Sequence, residues 1–334
     1  MEPVRIAVIG AGYWGKKVIR EILETGSYSN LSKLHSVADP SPSALAQCEK
    51  QFGGLDYRLD YRTLLSDPSL SAVHICTPNA THFEIASAFL RNGKHVLVEK
   101  PLALRAAEAY EIVRIAREND RVLCTGHIHR FNNGVKELKR VIDTGLLGEV
   151  YYLRLSWSGL LPIQNQRDVI TDLAPHPFDI SNFLLEAWPD RVTCRGRGYR
   201  TGQVEEVAFI TAEHSHGPAA QIEVSWLDNE RRRQVTVVGS QGSISLDCNE
   251  QKAVLRRGEG VEQMPVTASN TLREEILHFA QCVVGHAEAR PVHNHSDGVL
   301  GARVVTLLEA SKESLGQERT IRVNVPLEQE IAAR

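Results

Sequence analysis

The sequence contains no closely spaced pair of cysteines. Its six cysteines stand far apart among 334 residues, at positions 48, 76, 124, 194, 248 and 282. A disulfide framework and a cysteine-rich zinc site both need thiols at short, regular spacings, so we expect neither. The thiols are interpreted as small apolar side chains, which is typical of a protein kept in a reducing cytosol.

The chain also lacks a strong charge of either sign and any long apolar run. Its formal net charge is −3, with 42% hydrophobic and 24% charged residues, as in ordinary globular proteins. Without a basic surface, neither nucleic acid nor an anionic membrane is expected as a partner. The apolar runs are far shorter than the ~20 residues of a membrane span. Residues 1–5 lead straight into a strand pattern, which argues against a signal peptide. We therefore expect a cytoplasmic protein that acts on a small molecule.

Strand-like and helix-like segments alternate over the first 126 residues. Short β-branched or apolar runs predict strands, and apolar residues at helical spacing predict the helices between them. The predicted strands are residues 4–9, 34–38, 72–76, 95–98 and 122–124, and the clearest helices are residues 83–90 and 106–116. Such alternation implies right-handed crossovers and a parallel sheet.

A glycine-rich loop follows the first predicted strand. Gly10, Gly12 and Gly15 form a G-x-G-x-x-G pattern with a strand before it and a helix after it. In a dinucleotide-binding loop the first glycine permits the tight turn, the second lets the backbone approach the pyrophosphate, and the third lets helix and strand pack closely. Tyr13 and Trp14, inside the loop, are placed to touch the cofactor. The alternative, a glycine turn without a ligand, does not explain this combination of features.

Asp39 ends the second predicted strand, 24 positions after Gly15. A carboxylate there suits a ribose diol and repels a 2′-phosphate, and no Arg or Lys follows in residues 40–43. We therefore predict NAD as the cofactor in preference to NADP. The alternative is that Asp39 caps the next helix.

Two further polar loops follow buried strands. One loop contains Thr77, Pro78 and Asn79, with His82 shortly after, and the other is Glu99-Lys100-Pro101. Ligands of open α/β sheets bind at the carboxyl ends of the strands, so these residues are candidates for the same crevice. The alternative for Glu99 and Lys100 is an exposed ion pair of little energetic value.

The remainder of the chain predicts a second domain. After a helix over residues 135–142, strand patterns recur with turns between them, and two helices close the chain at residues 272–284 and 298–314. This pattern is typical of one open, largely antiparallel sheet covered by helices. We predict an α/β protein with a Rossmann domain at residues 1–126 and a substrate-binding and oligomerisation domain at residues 127–334. Within it, Trp157, Phe209 and Trp226 are predicted to be sheet core.

One segment of the second domain combines titratable side chains with a helix start. Because proline is tolerated in a first helical turn, we expect a helix to begin just after Asp172. Asp172 and His176 then lie about one turn apart and face one crevice. A histidine can take the proton of a reacting hydroxyl, and a carboxylate nearby can orient it. The alternative is a capping Asp172 and a structural His176.

These motifs together resemble the Gfo/Idh/MocA oxidoreductases, which include glucose–fructose oxidoreductase and inositol dehydrogenase. The resemblance rests on the glycine loop, on Thr77-Pro78-Asn79 with His82, on Glu99-Lys100-Pro101, and on Asp172-x-x-x-His176-x-x-Asp179. It implies a Rossmann domain followed by a sheet domain that often pairs in homodimers or homotetramers. It also implies catalysis by Lys100, which would lower the pKa of the hydroxyl, by Asp172 and by His176 as the base. Ala174 and Pro177 depart from the family pattern without removing these three groups.

Within the family, the chain is most similar to the UDP-N-acetylglucosamine 3-dehydrogenases. The resemblance here rests on residues 126–132, 138–145 and 167–176. It implies oxidation of a secondary sugar hydroxyl, and we assign Arg130, Asn132 and Arg167 to the substrate site. Guanidinium groups pair well with a diphosphate. The alternative for both arginines is a salt bridge.

Other functions compatible with these motifs stay open. One is an inositol or other polyol dehydrogenase, another is an NAD-dependent glycosidase that recycles its cofactor, and a third is a regulator that binds dinucleotide without chemistry. His127-x-His129 and His293-x-His295 have the spacing of side chains on one face of a strand. Since neither cysteine nor an established carboxylate completes a site there, we predict no metal.

Overall fold

The computed structural model describes residues 2–27, 29–163, 167–200 and 202–326. They form two compact units: residues up to 126 with residues 271–302, and residues 127–270 with those from 303 onwards. No helix within these ranges is both long enough and apolar enough to cross a bilayer.

The first unit is built on a six-stranded parallel sheet with the strand order β3-β2-β1-β4-β5-β6. Its strands are β1 (Val4–Ile9), β2 (Ser32–Ala38), β3 (Asp56–Arg58), β4 (Ala72–Ile75), β5 (His95–Glu99) and β6 (Leu123–Gly126). Its helices are α1 (Tyr13–Gly26), α2 (Pro42–Phe52), α3 (His82–Arg91) and α4 (Ala106–Glu118). The predicted Rossmann fold is confirmed, since this strand order is that of dinucleotide-binding sheets.

The second unit contains a nine-stranded sheet with the order β14-β13-β12-β11-β7-β10-β9-β8-β15. Its strands are β7 (Val150–Ser158), β8 (Arg191–Arg197), β9 (Val207–Glu213), β10 (Ala219–Ser225), β11 (Arg232–Gly239), β12 (Gly242–Asp247), β13 (Lys252–Arg257), β14 (Gly260–Gln263) and β15 (Ile321–Arg322). The pairing is antiparallel except between β7 and β10, so the predicted open, largely antiparallel sheet is confirmed.

Helices cover one face of this second sheet and form its core with it. They are α5 (Asn133–Asp143), α6 (Val169–Leu173), α7 (Pro175–Leu185) and the later part of α9 (Gly298–Gln317). Trp157 and Trp226 are fully buried in that core, as predicted. The same prediction is wrong for Phe209, which is 55% exposed. Its strand neighbours Ala208 and Ile210 are the buried ones, because alternate residues of a strand point to opposite faces.

The chain returns to the first unit near its end, which differs from the predicted contiguous second domain. Helix α8 (Thr271–Ala287) packs on α1, where Arg273 forms ion pairs with Glu21 at 3.1 Å and Glu24 at 2.8 Å. The segment after α8 pairs with β6, because the Thr125 amide donates to the Ser296 carbonyl at 2.7 Å. Residues 271–302 therefore complete the Rossmann unit from a distant part of the sequence.

His95, at the start of β5, is a buried histidine whose hydrogen bonding favours its neutral form. Its Nδ1 accepts a hydrogen bond from the Val122 amide at 3.0 Å, so the ring proton lies on Nε2. Burial, with the charges of Arg121 and His286, lowers the pKa of His95 to about 3, although Asp120 opposes this. The unfolded chain takes up this proton near pH 6.5, whereas the folded chain does so only near pH 3.

We predict that the free energy of unfolding falls as the pH is lowered from about 6.5 towards 3, with His95 contributing up to about 1.4 kcal/mol per pH unit. In His95→Asn, whose amide oxygen can replace Nδ1 as acceptor, this contribution disappears and the pH dependence becomes shallower. Urea unfolding at a series of pH values measures the effect. The exposed His216→Asn variant is the control and keeps the original slope, and an unchanged slope in His95→Asn would contradict the prediction.

Candidate functional site

The glycine loop has the geometry that its sequence predicts. Gly10 adopts φ +102°, and a Cβ added there would lie 2.7 Å from the carbonyl oxygen of Cys76. A Cβ on Gly15 would lie only 1.9 Å from the Gly10 carbonyl oxygen, so α1 can approach the loop only with glycine there. Around Gly12, by contrast, a Cβ meets no atom within 4 Å. Gly12 therefore borders open space at the N-terminus of α1, which is where a pyrophosphate is bound in this fold.

Asp39 is tied to the glycine loop. One of its carboxylate oxygens accepts a hydrogen bond from the Ala11 amide at 2.7 Å, and the other accepts one from the Ser41 amide at 2.8 Å. The N-cap of α2 is Ser41, whose hydroxyl accepts from the Ala44 amide, so Asp39 is not the cap of this helix. The carboxylate thus orients the first turn of the loop, and its contact with a ribose stays a prediction.

Glu99 connects the glycine loop with the end of β4. Its Oε1 accepts hydrogen bonds from the Trp14 indole at 2.5 Å and from His74 Nε2 at 3.1 Å. Glu99 is only 9% exposed, so its interpretation as an exposed ion-pair partner is wrong. The indole of Trp14 is thereby fixed in the loop, whereas the side chain of Tyr13 is 78% exposed.

Glu99 also belongs to the one cluster in the described residues whose side chains could together hold a metal ion. The donor atoms of His74, Cys76 and Glu99 all lie within 4.8 Å of one another. Burial, together with the charge of Glu99, raises the pKa of the Cys76 thiol well above its usual value. The cluster is therefore a protonated thiol beside a hydrogen-bonded carboxylate.

His82 links the two other predicted loops. Its Nδ1 lies 2.8 Å from the carbonyl oxygen of Pro101, and its Nε2 lies 3.0 Å from that of Thr77. Burial lowers the pKa of His82. A neutral imidazole has one N–H, so His82 donates to only one of these two carbonyl groups at a time. The ring still contacts both loops, Thr77-Pro78-Asn79 and Glu99-Lys100-Pro101, and so positions them. Lys100 directly follows the carboxyl end of β5 and is partly exposed.

In the second unit, Asp172 is held by two donors. It lies in the last turn of α6, whose N-cap is Asp168, so Asp172 is not a helix cap. The predicted helix start after Asp172 is confirmed, since α7 begins at Pro175 with proline in its first turn. The Oδ1 atom of Asp172 is 3.1 Å from the Arg167 guanidinium, and its Oδ2 accepts a hydrogen bond from the Trp226 indole at 3.1 Å. Asp172 is only 6% exposed. A buried carboxylate with a cation and an indole as partners is a fixed negative charge.

His176 follows in α7, after the helix break at Ala174. The ring of His129 meets it edge to face at a centroid distance of 4.9 Å, and the Trp157 ring lies 6.5 Å away. His129 belongs to a 3-10 turn at Ile128–Phe131 and not to a strand. It supports the imidazole of His176 from the side, a contact that the spacing His127-x-His129 did not indicate.

The other two predicted substrate residues have their side chains engaged within the protein. Arg130 is only 11% exposed, and it donates to Asp179 at 2.6 Å and to Asn182 at 2.7 Å. Asn132 is the N-cap of α5 and also donates to the Cys248 carbonyl at 3.0 Å. The structure thus favours the salt-bridge interpretation of Arg130 and gives Asn132 a capping role. Only Arg167, 30% exposed, keeps a partly accessible cationic side chain.

Sequence reasoning missed Trp226, His129 and His74. Trp226 could have been found, because a buried indole needs an acceptor for its N–H group. It directly follows β10, which ends at Ser225. No comparable signal marks His74, because a histidine inside an apolar strand is usually a core residue.

Two stretches of the chain match known families. Residues 4–127 match the GFO/IDH/MocA oxidoreductase family with an NAD-binding Rossmann fold, and residues 135–245 match the GFO/IDH/MocA C-terminal domain. Together they include well over half of the chain.

Individual relatives include three sugar-related enzymes. The 2,7-anhydro-N-acetylneuraminate hydratase of Mediterraneibacter gnavus is 26% identical over 74% of this chain and 68% of its own length. The scyllo-inositol 2-dehydrogenase (NAD(+)) of Bacillus subtilis is 27% identical over 84% of this chain and 86% of its own. The solved structure of UDP-N-acetylglucosamine 3-dehydrogenase from Acidithiobacillus ferrooxidans has a TM-score of 0.81 and 25% identity, with 95% of this chain and 99% of that one covered.

The geometry of the glycine loop and both family matches indicate the same kind of protein. The chain belongs to the GFO/IDH/MocA family of oxidoreductases, and its first unit carries the NAD-binding Rossmann fold of that family.

Proposed function

We propose that the protein oxidises a secondary hydroxyl of a nucleotide sugar, with C3 of UDP-N-acetylglucosamine as the best candidate. The observation that carries the proposal is the fixed carboxylate of Asp172, which Arg167 and Trp226 hold four residues before His176. Arg167 is accessible enough to contact a diphosphate while it orients Asp172. The similarity to a UDP-N-acetylglucosamine 3-dehydrogenase supports the same substrate class.

The residues divide the chemistry as follows. Lys100 binds the reacting hydroxyl and lowers its pKa, and His176 accepts the proton as the C–H bond transfers its hydride. Asp172 keeps a negative charge near the histidine, which stabilises the imidazolium that forms. NAD+, when bound, accepts the hydride. The glycine loop, Asp39 and the Trp14–Glu99 pair are the residues of this chain that would hold it.

A polyol such as inositol is the second candidate substrate. The similarity to an inositol dehydrogenase favours it. So does the engagement of Arg130 with Asp179, which leaves one accessible arginine of the two predicted for a diphosphate. Both candidates use the same three catalytic residues, so the substrate itself must be tested.

The first test mixes the purified protein with NAD+ and UDP-N-acetylglucosamine, with myo-inositol and free glucose in parallel. We expect the near-ultraviolet absorbance of reduced nicotinamide to rise with the nucleotide sugar only, and Lys100→Ala and His176→Ala to abolish the rise. A rise with myo-inositol alone would show that the substrate is a polyol and not a nucleotide sugar. Release of a free sugar without net reduction of NAD+ would instead indicate a recycled cofactor.

Trp226→Phe removes the indole N–H from Asp172 and keeps an aromatic ring in the core. We predict that kcat falls about tenfold or more, because a carboxylate that loses a buried hydrogen bond is less well positioned. Trp188→Phe, at a partly buried tryptophan stacked on Arg303 in the same unit, is the control and retains its kcat. Equal kcat values for the two variants would show that the indole does not position Asp172.

Replacement of two glycines by alanine separates cofactor binding from folding. In Gly12→Ala the new methyl meets no protein atom, so we expect unchanged thermal unfolding and an NAD+ affinity about tenfold weaker. In Gly15→Ala the methyl collides with the Gly10 carbonyl, so we expect the melting temperature itself to fall. Scanning calorimetry and NAD+ titration measure both quantities, and normal NAD+ affinity in Gly12→Ala would remove Gly12 from the cofactor site.

A further inference from the structure

The first unit contains a cavity that the proposed function does not use. Its volume is about 700 Å³, and it is lined by residues at the start of β1 and β5 and by the end of α8. In a parallel sheet all strands begin at one edge, so this edge is opposite to the one that carries Gly10 and Lys100. The volume is within the range of pockets that bind small molecules.

Three cationic side chains line the cavity: Arg5, Lys94 and Arg121. The Lys94 ammonium donates to the carbonyl oxygens of Asp67 at 2.5 Å and Leu70 at 3.0 Å, and Lys94 is only 7% exposed. Arg121 donates through Nε to the Gly93 carbonyl at 2.7 Å. Throughout the described ranges, no carboxylate lies within ion-pair distance of Lys94 or Arg121. Hydrogen bonds to carbonyl groups fix these two cations in place, and the nearest carboxylates, Asp67 for Lys94 and Asp120 for Arg121, act on them only from beyond ion-pair distance.

His95 adds a neutral donor to the same wall. Because its Nδ1 accepts from the Val122 amide, its N–H group is at Nε2. His286 meets its ring edge to face at 5.1 Å and is itself paired with Asp120 at 3.0 Å. Burial and the charges of Arg121 and His286 lower the pKa of His95, and the charge of Asp120 opposes them.

The acidic residues of the lining do not balance its positive charges. Glu2 is 88% exposed and forms an ion pair with Arg5 at 3.6 Å, while Glu288 is exposed at the end of α8. Both carboxylates therefore lie at the solvent side of the cavity. Its inner wall, formed by Lys94, His95 and Arg121, carries positive charge and hydrogen-bond donors.

We propose that this cavity binds a small anionic metabolite that carries two or more phosphate or carboxylate groups. Guanidinium groups bind both kinds of anion through paired hydrogen bonds, and an ammonium adds a point charge. A single phosphate would leave most of a 700 Å³ volume empty, which favours a larger polyanion. Binding reduces the repulsion between Lys94 and Arg121.

The test titrates pyrophosphate and citrate separately into the full chain by calorimetry, at constant ionic strength and with saturating NAD+. Saturation keeps the probes out of the phosphate site at the glycine loop. We expect at least one probe to bind with a dissociation constant in the millimolar range or below, about tenfold weaker in Arg5→Gln and Arg121→Gln. The exposed Arg117→Gln variant on α4, outside the cavity, is the matched control and binds like the unmodified protein. The preferred probe shows whether phosphate or carboxylate is the better ligand group.

A second readout follows His95 directly. The imidazole resonances of His95 in the NMR spectrum shift on addition of the bound probe, and its pKa rises, because an anion favours the protonated ring. Arg5→Gln covers the case in which Arg121→Gln loses stability, since the Arg5 side chain is 41% exposed and, among the described residues, forms an ion pair only with Glu2. The proposal is overturned if neither probe binds, or if the probes bind to both cavity variants as to the Arg117→Gln control.

Discussion

The carboxylate of Glu99 is the interaction on which the arrangement of the cofactor edge depends. It stands at the end of β5 and accepts hydrogen bonds from Trp14 in the glycine loop and from His74 in β4. On its other side is Gly126, the last residue of β6, where an added Cβ would lie 2.8 Å from Glu99 Oε2. Four neighbouring strand ends therefore meet at one carboxylate. Its loss would leave the buried His74 donor without an acceptor, at about 1–3 kcal/mol, and would also release the partly buried indole of Trp14.

The second unit also contains a carboxylate that is held by an indole N–H group. Trp226 donates to Asp172 as Trp14 donates to Glu99. An indole N–H is a donor only and does not titrate in the physiological range, so it fixes a carboxylate without exchanging a proton with it. This property suits a site where one proton must pass from a hydroxyl to a single base, His176. Arg167 then supplies the charge that compensates the burial of Asp172.

The parts of the molecule that depend on local pattern could be predicted from the sequence. These parts are the strand–helix alternation, the three loop glycines, and the positions of Glu99 and Lys100 at a strand end. Each depends on residues that are close together in the sequence. Arg130 and Asn132 could not be predicted in the same way. Asp179 and Cys248, their partners, lie 49 and 116 positions away, and only the fold brings them together. Helix α8 is a similar case, since its ion pair with Glu21 forms only because residues 271–302 fold back onto the first unit.

The two edges of the parallel sheet have different roles in the first unit: one carries the glycine loop and the other the cavity. The distance between them limits how strongly binding at one edge can affect the other. From His95 to Lys100 the chain advances ~17 Å, at about 3.3 Å per residue of strand. Lys100 is partly exposed, and for charges that contact solvent this separation means extensive screening at physiological ionic strength, where the Debye length is about 8 Å. An anion beside His95 therefore has little direct electrostatic effect on Lys100. Any influence on hydride transfer would have to pass through the packing of β5, whose residues from His95 to Glu99 are all buried and rigidly held between β4 and β6. The edge with the glycine loop binds and positions the reactants, whereas an anion at the opposite edge stabilises the unit that holds them.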